Sequence, residues 1–257
     1  METSEVKLMI GTPAQKDVTQ HFYVSMVSAV NELNNLGIKT KTQGVFGSCY
    51  IEWARNEIAH MFMNDEDEQW THLLFIDSDI GFSTNDVLEL IKHSNNEEKL
   101  IVGGLYPKKE IDWNMVHYLV TQGCPPDQLK YFAANMDGDM FSPLETVSDP
   151  TIPVSVRHLP TGFMMINRKV FKRFQEAFDI AAKGYTFLYG DCDMFMYFQT
   201  DLVKGEDGHK HYVGEDTNFC NMWRSVGGKI WALPWVNLEH VGQYVYKRQM
   251  IMGNPNG

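Results

Sequence analysis

The sequence predicts an α/β protein, a doubly wound sheet flanked by helices, and three observations carry that expectation. Strand-like and helix-like periodicities alternate over roughly the first hundred residues, the pattern of parallel strands joined by crossover helices. One strand candidate, His72 to Ile76 (HLLFI), is nearly all apolar, as a central strand covered on both faces must be. The 257 residues are 44% hydrophobic and 21% charged, a composition that folds and can bury a full core.

The elements follow in order. Val6 to Ile10 (VKLMI) reads as a short buried strand that Gly11-Thr12-Pro13 ends. From about Thr19 to Leu36, Phe22, Met26, Val30 and Leu33 recur at helical spacing, with Gly37 as the stop. Lys39 to Val45 is a second strand. A helix from about Ile51 to Met63 carries Ile51, Ala54, Ile58 and Phe62 on one face, with Arg55 and Asn56 beside it. The strand HLLFI ends in Asp77-Ser78-Asp79. Ser83 with Asp86 three residues on marks the start of a helix buried through Val87, Leu88 and Ile91. A strand follows at Leu100 to Leu105. Between 107 and 155, Gly123, Pro125, Pro126, Asp137-Gly138-Asp139, Pro143, Pro150 and Pro153 break the periodicity, so short strands and loops are expected. Leu159 to Ile166 (LPTGFMMI) reads as a strand entered through a turn, and Arg168 to Phe178 as a helix. Residues 183–214, rich in Gly, Asp and aromatics, read as a mobile active-site loop. Thr217 to Val226 is a helix closed by Gly227-Gly228, and Lys229 to Leu233 and Val236 to Glu239 are late strands. No internal repeat or linker divides the chain, so 1–257 is expected to be one domain, with a ligand-binding half at 1–106 and an acceptor-side half at 107–257.

Charge and cysteine content narrow the function. Lys and Arg number 22 against 33 Asp and Glu, a net charge of −11, which opposes non-specific attraction to nucleic acid or anionic lipid. A local basic groove stays open, and anionic ligands can bind through a metal ion. Cys49, Cys124, Cys192 and Cys220 are too scattered for a disulfide scaffold or a four-cysteine zinc site. The opening METSEVKLMIGTP lacks a signal-peptide core, and no stretch approaches the roughly 20 apolar residues that span a bilayer. A cytoplasmic protein with no membrane span is the expectation.

Asp-x-Asp is a cheap pattern in a chain with 17 aspartates, and it occurs four times, at Asp65/Asp67, Asp77/Asp79, Asp137/Asp139 and Asp191/Asp193. Only Asp77/Asp79 sits directly at the carboxyl end of a buried strand, where open α/β sheets bind ligands. Two carboxylates there suit a hard divalent ion that shares oxygens with a diphosphate; an acidic turn is the plainer role. Gly214-Glu215-Asp216 immediately precedes a helix, where one acid serves as a cap. A second beside it suits a general base with a positioning neighbour. His240, at a late strand end, becomes a candidate metal ligand in the company of such carboxylates.

These residues carry a resemblance. ARN (54–56), HLLFIDSDIGF (72–82), LPTGFMMI (159–166), and GEDTNFC (214–220) followed by LEHVG (238–242) stand in an order and spacing that resembles nucleotide-sugar glycosyltransferases of the GT-A fold, family 2-like, of the type found in bacteriophage and bacteria. The resemblance implies a GT-A-like (Rossmann-like) doubly wound mixed sheet and a divalent metal, Mn2+ or Mg2+. It implies a UDP- or GDP-sugar donor and an acceptor glycan or other hydroxyl compound, a modified DNA base included. It makes Asp77 a contact to ribose or metal, Asp79 the main metal carboxylate, and His240 the completing ligand. Thr12, Arg55 and Ser78 join these aspartates on the nucleotide-sugar side. Asp216 matches the catalytic base, Glu215 its orienting partner, and Thr161 and Gly162 the acceptor side. Lys108 and Lys109 are phosphate contacts or a solvated pair. Tyr185, Phe187, Tyr189, Phe195, Tyr197 and Phe198 stack on sugar or form a packed lid.

The chain departs from the family at Gly11-Thr12-Pro13-Ala14-Gln15, which offers no base-contacting acid. A nucleotidyltransferase is the rival enzyme class, although Gly11-Thr12-Pro13 makes a poor phosphate loop. A non-catalytic carbohydrate- or nucleotide-binding protein is the other alternative, and intact Asp77, Asp79, Asp216 and His240 argue against it.

Overall fold

The computed structural model describes residues 6–66, 69–94, 96–140, 149–178, 186–189, 192–205 and 207–244. Its strands are β1 (Lys7–Ala14), β2 (Lys39–Phe46), β3 (His72–Ile76), β4 (Ile80–Gly81), β5 (Ile101–Gly103), β6 (Asp139–Met140), β7 (Val154–His158), β8 (Phe163–Asn167), β9 (Thr186–Tyr189), β10 (Cys192–Phe195), β11 (Asp201–Lys204), β12 (Lys210–Val213), β13 (Ile230–Ala232) and β14 (Glu239–His240). The helices are α1 (Gln20–Asn35), α2 (Ile51–Asn64), α3 (Thr84–Ser94), α4 (Trp113–Thr121), α5 (Arg168–Ala177) and α6 (Glu215–Ser225), with a 3₁₀ turn at Leu129–Tyr131.

Eight strands form one mixed sheet in the order β2-β1-β3-β8-β5-β13-β7-β6. β1 pairs in parallel with β2 and β3, and β13 in parallel with β5. β8 runs antiparallel between β3 and β5. The expected doubly wound α/β sheet is therefore present, and alternation along its strands feeds two cores. Met9, Leu73, Phe75, Ile101, Met164 and Ile166 face α2, α5 and α6 on one side. Leu8, Ile10, Leu74, Ile76, Val102 and Met165 face α1 and α3 on the other.

Local chemistry fixes the element ends. Thr19 caps α1 by accepting from the Phe22 N–H, and Gly37 takes the left-handed turn after it at φ 80°. Ser83 and Asp86 form a reciprocal cap at α3: Asp86 Oδ2 accepts from the Ser83 N–H at 2.8 Å, and Ser83 Oγ accepts from the Asp86 N–H at 3.3 Å. Gly11 lets α2 lie close on β1, since a Cβ there would stand 2.5 Å from Ile58 Cγ2.

Several expectations are corrected. β1 does not stop at Gly11; its parallel register with β2 runs on to the Ala14/Phe46 pair. The stretch 107–155 contains a true helix, α4, capped by Asp112, which accepts from the Asn114 and Met115 N–H groups. None of its residues is buried, and every Gly and Pro that suggested loops lies outside it. Val236 to Leu238 is not strand; only Glu239 and His240 pair, with β4. Among the described residues of 183–214, β9 pairs antiparallel with β10 and β11 with β12, and Phe195, Tyr197 and Phe198 are buried in the core against Phe171, Phe174 and Phe219. Tyr185, Asp67 and Asp191 lie outside the described residues, as do the side chains of Phe187 and Tyr189. No helix among the described residues is long and apolar enough to cross a membrane.

Candidate functional site

The carboxyl ends of β1 and β3 open onto the loop Asp77-Ser78-Asp79. A two-residue ladder between β14 and β4, extended by the Val241 N–H donating to the Asp79 carbonyl at 2.9 Å, lays His240 beside that loop. The His240 ring donates from Nδ1 to the Pro107 carbonyl at 2.8 Å. A carbonyl only accepts, so Nδ1 carries a proton, and Nε2 faces Asp79 Oδ1, 3.5 Å away. The other Asp79 oxygen receives the Lys109 ammonium. Burial drives the Asp79 carboxyl upward, but hydrogen bonds and charge from His240 and Lys109 outweigh it and hold it below the ordinary aspartate value.

Asp77 faces elsewhere. Its carboxylate takes Nη2 of Arg55 at 3.2 Å, and Nη1 of the same guanidinium holds Glu215. Arg55 is 4% exposed, so its two ion pairs are buried. Desolvation works against the guanidinium, but Asp77, Glu215, Tyr106 and Asp216 together raise its pKa. Glu215 is pushed above the ordinary glutamate value by burial and by Asp216, against the pull of Arg55. Asp216, one position along α6, is half-buried and accepts from the Thr217 N–H at 2.6 Å.

Gly162 and Tyr106 close the floor. The Asp77 N–H donates to the Gly162 carbonyl at 3.0 Å, and the Gly162 N–H donates to Tyr106 Oη at 3.2 Å. A Cβ on Gly162 would come within 2.4 Å of that oxygen and 2.8 Å of Asp77 Oδ2. Tyr106 packs edge-on to His240 with centroids 5.0 Å apart, and burial followed by the Asp77 charge keeps its hydroxyl protonated. Two buried polar atoms here, Arg55 Nε and Thr161 Oγ1, have no hydrogen-bond partner among the described residues. Unmatched buried donors are costly, and a polar ligand reaching them would remove that cost. Ser78 contributes its carbonyl, accepting from the Thr19 N–H at 2.9 Å. Thr12 is buried on β1 on the sheet face it shares with Leu8 and Ile10.

The structure thus joins Arg55, Asp77 and Glu215 through contacts, and separately Asp79 with His240. Among the described residues, no three His, Cys, Asp or Glu side chains form a group able to hold a metal ion on their own. The pair fits a divalent ion nonetheless. Its 3.5 Å separation is a little wider than the ~3 Å edge between neighbouring ligands of a small octahedral cation, which leaves the remaining positions for ligand and water oxygens. Sequence reasoning missed Tyr106, which lacks any motif, and undervalued Lys109, which touches Asp79. Two other places are structural. A cavity of about 260 Å³ lies at the amino end of β3, lined in part by Trp70, His72 and Arg168. There burial lowers His72 to about 4, and Arg168 is spent on the Phe62, Met63 and Trp70 carbonyls. Cys220 is no nucleophile: burial pushes its thiol up to about 12.

The mixed α/β sheet gathers charged side chains at the carboxyl end of β3, the edge at which open α/β sheets bind ligands. No family model and no curated protein sequence matches the chain. Solved structures with a similar course include A197 from STIV, at 15% identity and TM-score 0.49 over 95% of this chain and 98% of that one. GalNAc-T7 with UDP, GalNAc and Mn2+ is similar at 10% identity and TM-score 0.43 over 93% of this chain and 44% of that one. A glycosyltransferase involved in the glycosylation of the major capsid of PBCV-1 is similar at 8% identity and TM-score 0.35, over 69% and 68%.

Proposed function

We propose that the protein is a metal-assisted glycosyltransferase that moves a sugar from a nucleotide diphosphate donor, UDP or GDP based, to an acceptor hydroxyl. One observation carries the reading: Arg55 ties Asp77 at the end of β3 to Glu215 at the start of α6, so the cation-facing loop and the Glu215-Asp216 pair belong to one site. Asp79 and His240 Nε2 hold the divalent ion, Mn2+ or Mg2+, which when bound neutralises negative charge on the donor's diphosphate.

The chain's own residues supply the rest. Asp77, fixed by Arg55 and the Gly162 carbonyl, presents its carboxylate to the ribose, and Thr12 and Ser78 line that side. Thr161 and Gly162 shape the acceptor side, where the free Thr161 hydroxyl meets a sugar hydroxyl. Asp216 accepts the acceptor's proton as that oxygen attacks the anomeric carbon and the nucleotide diphosphate leaves. A single displacement of this kind inverts the anomeric centre. Glu215 is committed to Arg55, so it orients the site and is not a second base.

The test is a panel of UDP- and GDP-sugars, each with Mn2+ or with a chelator, read by thermal shift and by slow sugar-nucleotide hydrolysis. One donor should raise the melting temperature and be hydrolysed only with Mn2+. If no nucleotide diphosphate stabilises the protein in either condition, the reading fails. Pyrophosphate release from a nucleoside triphosphate and a sugar phosphate would establish a nucleotidyltransferase instead.

A further inference from the structure

We propose that Lys109 is a tethered cation that pairs with the Asp79 carboxylate and must leave it for a divalent ion to bind, so that metal and nucleotide diphosphate enter together. The inference rests on the metal reading above and deepens it. The Lys109 ammonium pairs with Asp79 Oδ2, while His240 Nε2 faces Oδ1 of the same carboxylate at 3.5 Å. A lysine and a dication cannot share that carboxylate without strong like-charge repulsion. One must yield.

The placement of Lys109 is built by its surroundings. The loop that carries it is pinned on both sides: the Lys108 N–H donates to the Asn135 carbonyl at 2.8 Å, the Glu110 N–H donates to the Lys108 carbonyl at 2.8 Å, and the Pro107 carbonyl accepts from His240. Its aliphatic stem lies against Gly242, where a Cβ would stand 3.1 to 3.3 Å from Lys109 Cδ, Cγ and Cβ. The same short segment, residues 239–242, therefore seats both the candidate metal ligand His240 and its competitor. The Lys109 side chain remains 39% exposed, and its four-carbon stem allows the ammonium to swing. Metal binding alone strands that charge. A diphosphate arriving with the metal gives it a new partner, which couples the two ligands positively.

The experiment measures Mn2+ binding without nucleotide, by loss of the free-ion electron paramagnetic resonance signal, for the wild type and for Lys109→Met, Lys109→Arg and Asp79→Asn. Methionine keeps the stem and removes the charge, so Lys109→Met should bind Mn2+ about tenfold more tightly. Lys109→Arg should stay near wild type, and Asp79→Asn should bind none. With UDP or GDP present, the gap between wild type and Lys109→Met should shrink. Equal Mn2+ affinity in wild type and Lys109→Met, with binding lost in Asp79→Asn, overturns the role of Lys109 and leaves the metal site standing. Absence of Mn2+ binding in every protein, with and without nucleotide, overturns both.

Discussion

Replacing Arg55 by methionine tests the centre of the site, because it removes the one buried cation between two carboxylates. Arg55 is 4% exposed, and its partners Asp77 and Glu215 have side chains 26% and 14% exposed. Methionine fills most of the volume, so the loss is electrostatic: at neutral pH two poorly solvated carboxylates face each other, with Asp216 adding a third negative charge. Breaking a buried pair by deleting one partner costs about 3–5 kcal/mol, and that is the destabilisation expected at pH 7.5. The pH dependence gives the sharper check. Glu215 already lies above the ordinary glutamate value, burial being the main cause and Arg55 the restraint; without Arg55 it rises further. Between the unfolded and folded values the native state binds more protons than the unfolded state, so stability falls as pH rises through that window. The penalty of Arg55→Met should therefore be largest at pH 7.5 to 8 and shrink toward pH 5. His72, lowered to about 4 by burial, makes both proteins lose stability as pH falls below about 6.5, and this cancels in the difference. Urea unfolding of both proteins at half-unit pH steps measures it. A loss under 1 kcal/mol, or one that does not change between pH 5 and 8, would refute the argument.

Asp216→Asn keeps shape and can still accept from the Thr217 N–H, so transfer or hydrolysis should drop roughly 100- to 10,000-fold at unchanged melting temperature and donor affinity; near-normal turnover removes Asp216 as base. Asp79→Asn should abolish manganese-dependent binding of UDP or GDP in calorimetry, and His240→Ala should weaken it less, since water replaces a neutral ligand; full retention in both removes the metal pair. Gly162→Ala drives a methyl against Tyr106 Oη and Asp77 Oδ2 and should cost about 1–3 kcal/mol in urea unfolding. A neutral effect there would mean that the Tyr106 ring gives way without loss.

The sequence by itself determined the elements whose signals are local. HLLFI reads as a strand buried on both faces because four consecutive apolar residues follow His72 and Asp-Ser-Asp ends the run, and it is β3 from His72 to Ile76. The helix at 20–35 follows from its 3.6-residue stripe and its closing glycine. Gly214-Glu215-Asp216 pointed to an acidic helix start, but the helix begins at Glu215 rather than Thr217, with Gly214 as its N-cap, so neither acid caps it through its side chain. Where a signal depended on partners, the sequence was mute or misleading. Gly11-Thr12-Pro13 looks like a strand stop, yet β2 supplies a parallel partner through Ala14. The aromatics at 195–198 suggested a mobile loop, and only the packing of Phe171, Phe174 and Phe219 around them makes them core.

Tertiary structure alone decided which charges meet. Nothing in the spacing of Arg55, Asp77 and Glu215 indicates that one guanidinium bridges both acids, because ion pairing acts across space after the sheet has ordered the chain. Tyr106 enters the site only because β5 and β8 are neighbours, which sets its hydroxyl against the Gly162 N–H. His240 meets Asp79 through a two-residue ladder too short to read in sequence, and Lys109 meets the same carboxylate because its loop is pinned to that ladder by the Pro107 carbonyl. The local code specified the strands and helices; their order in the sheet chose the partners of Arg55.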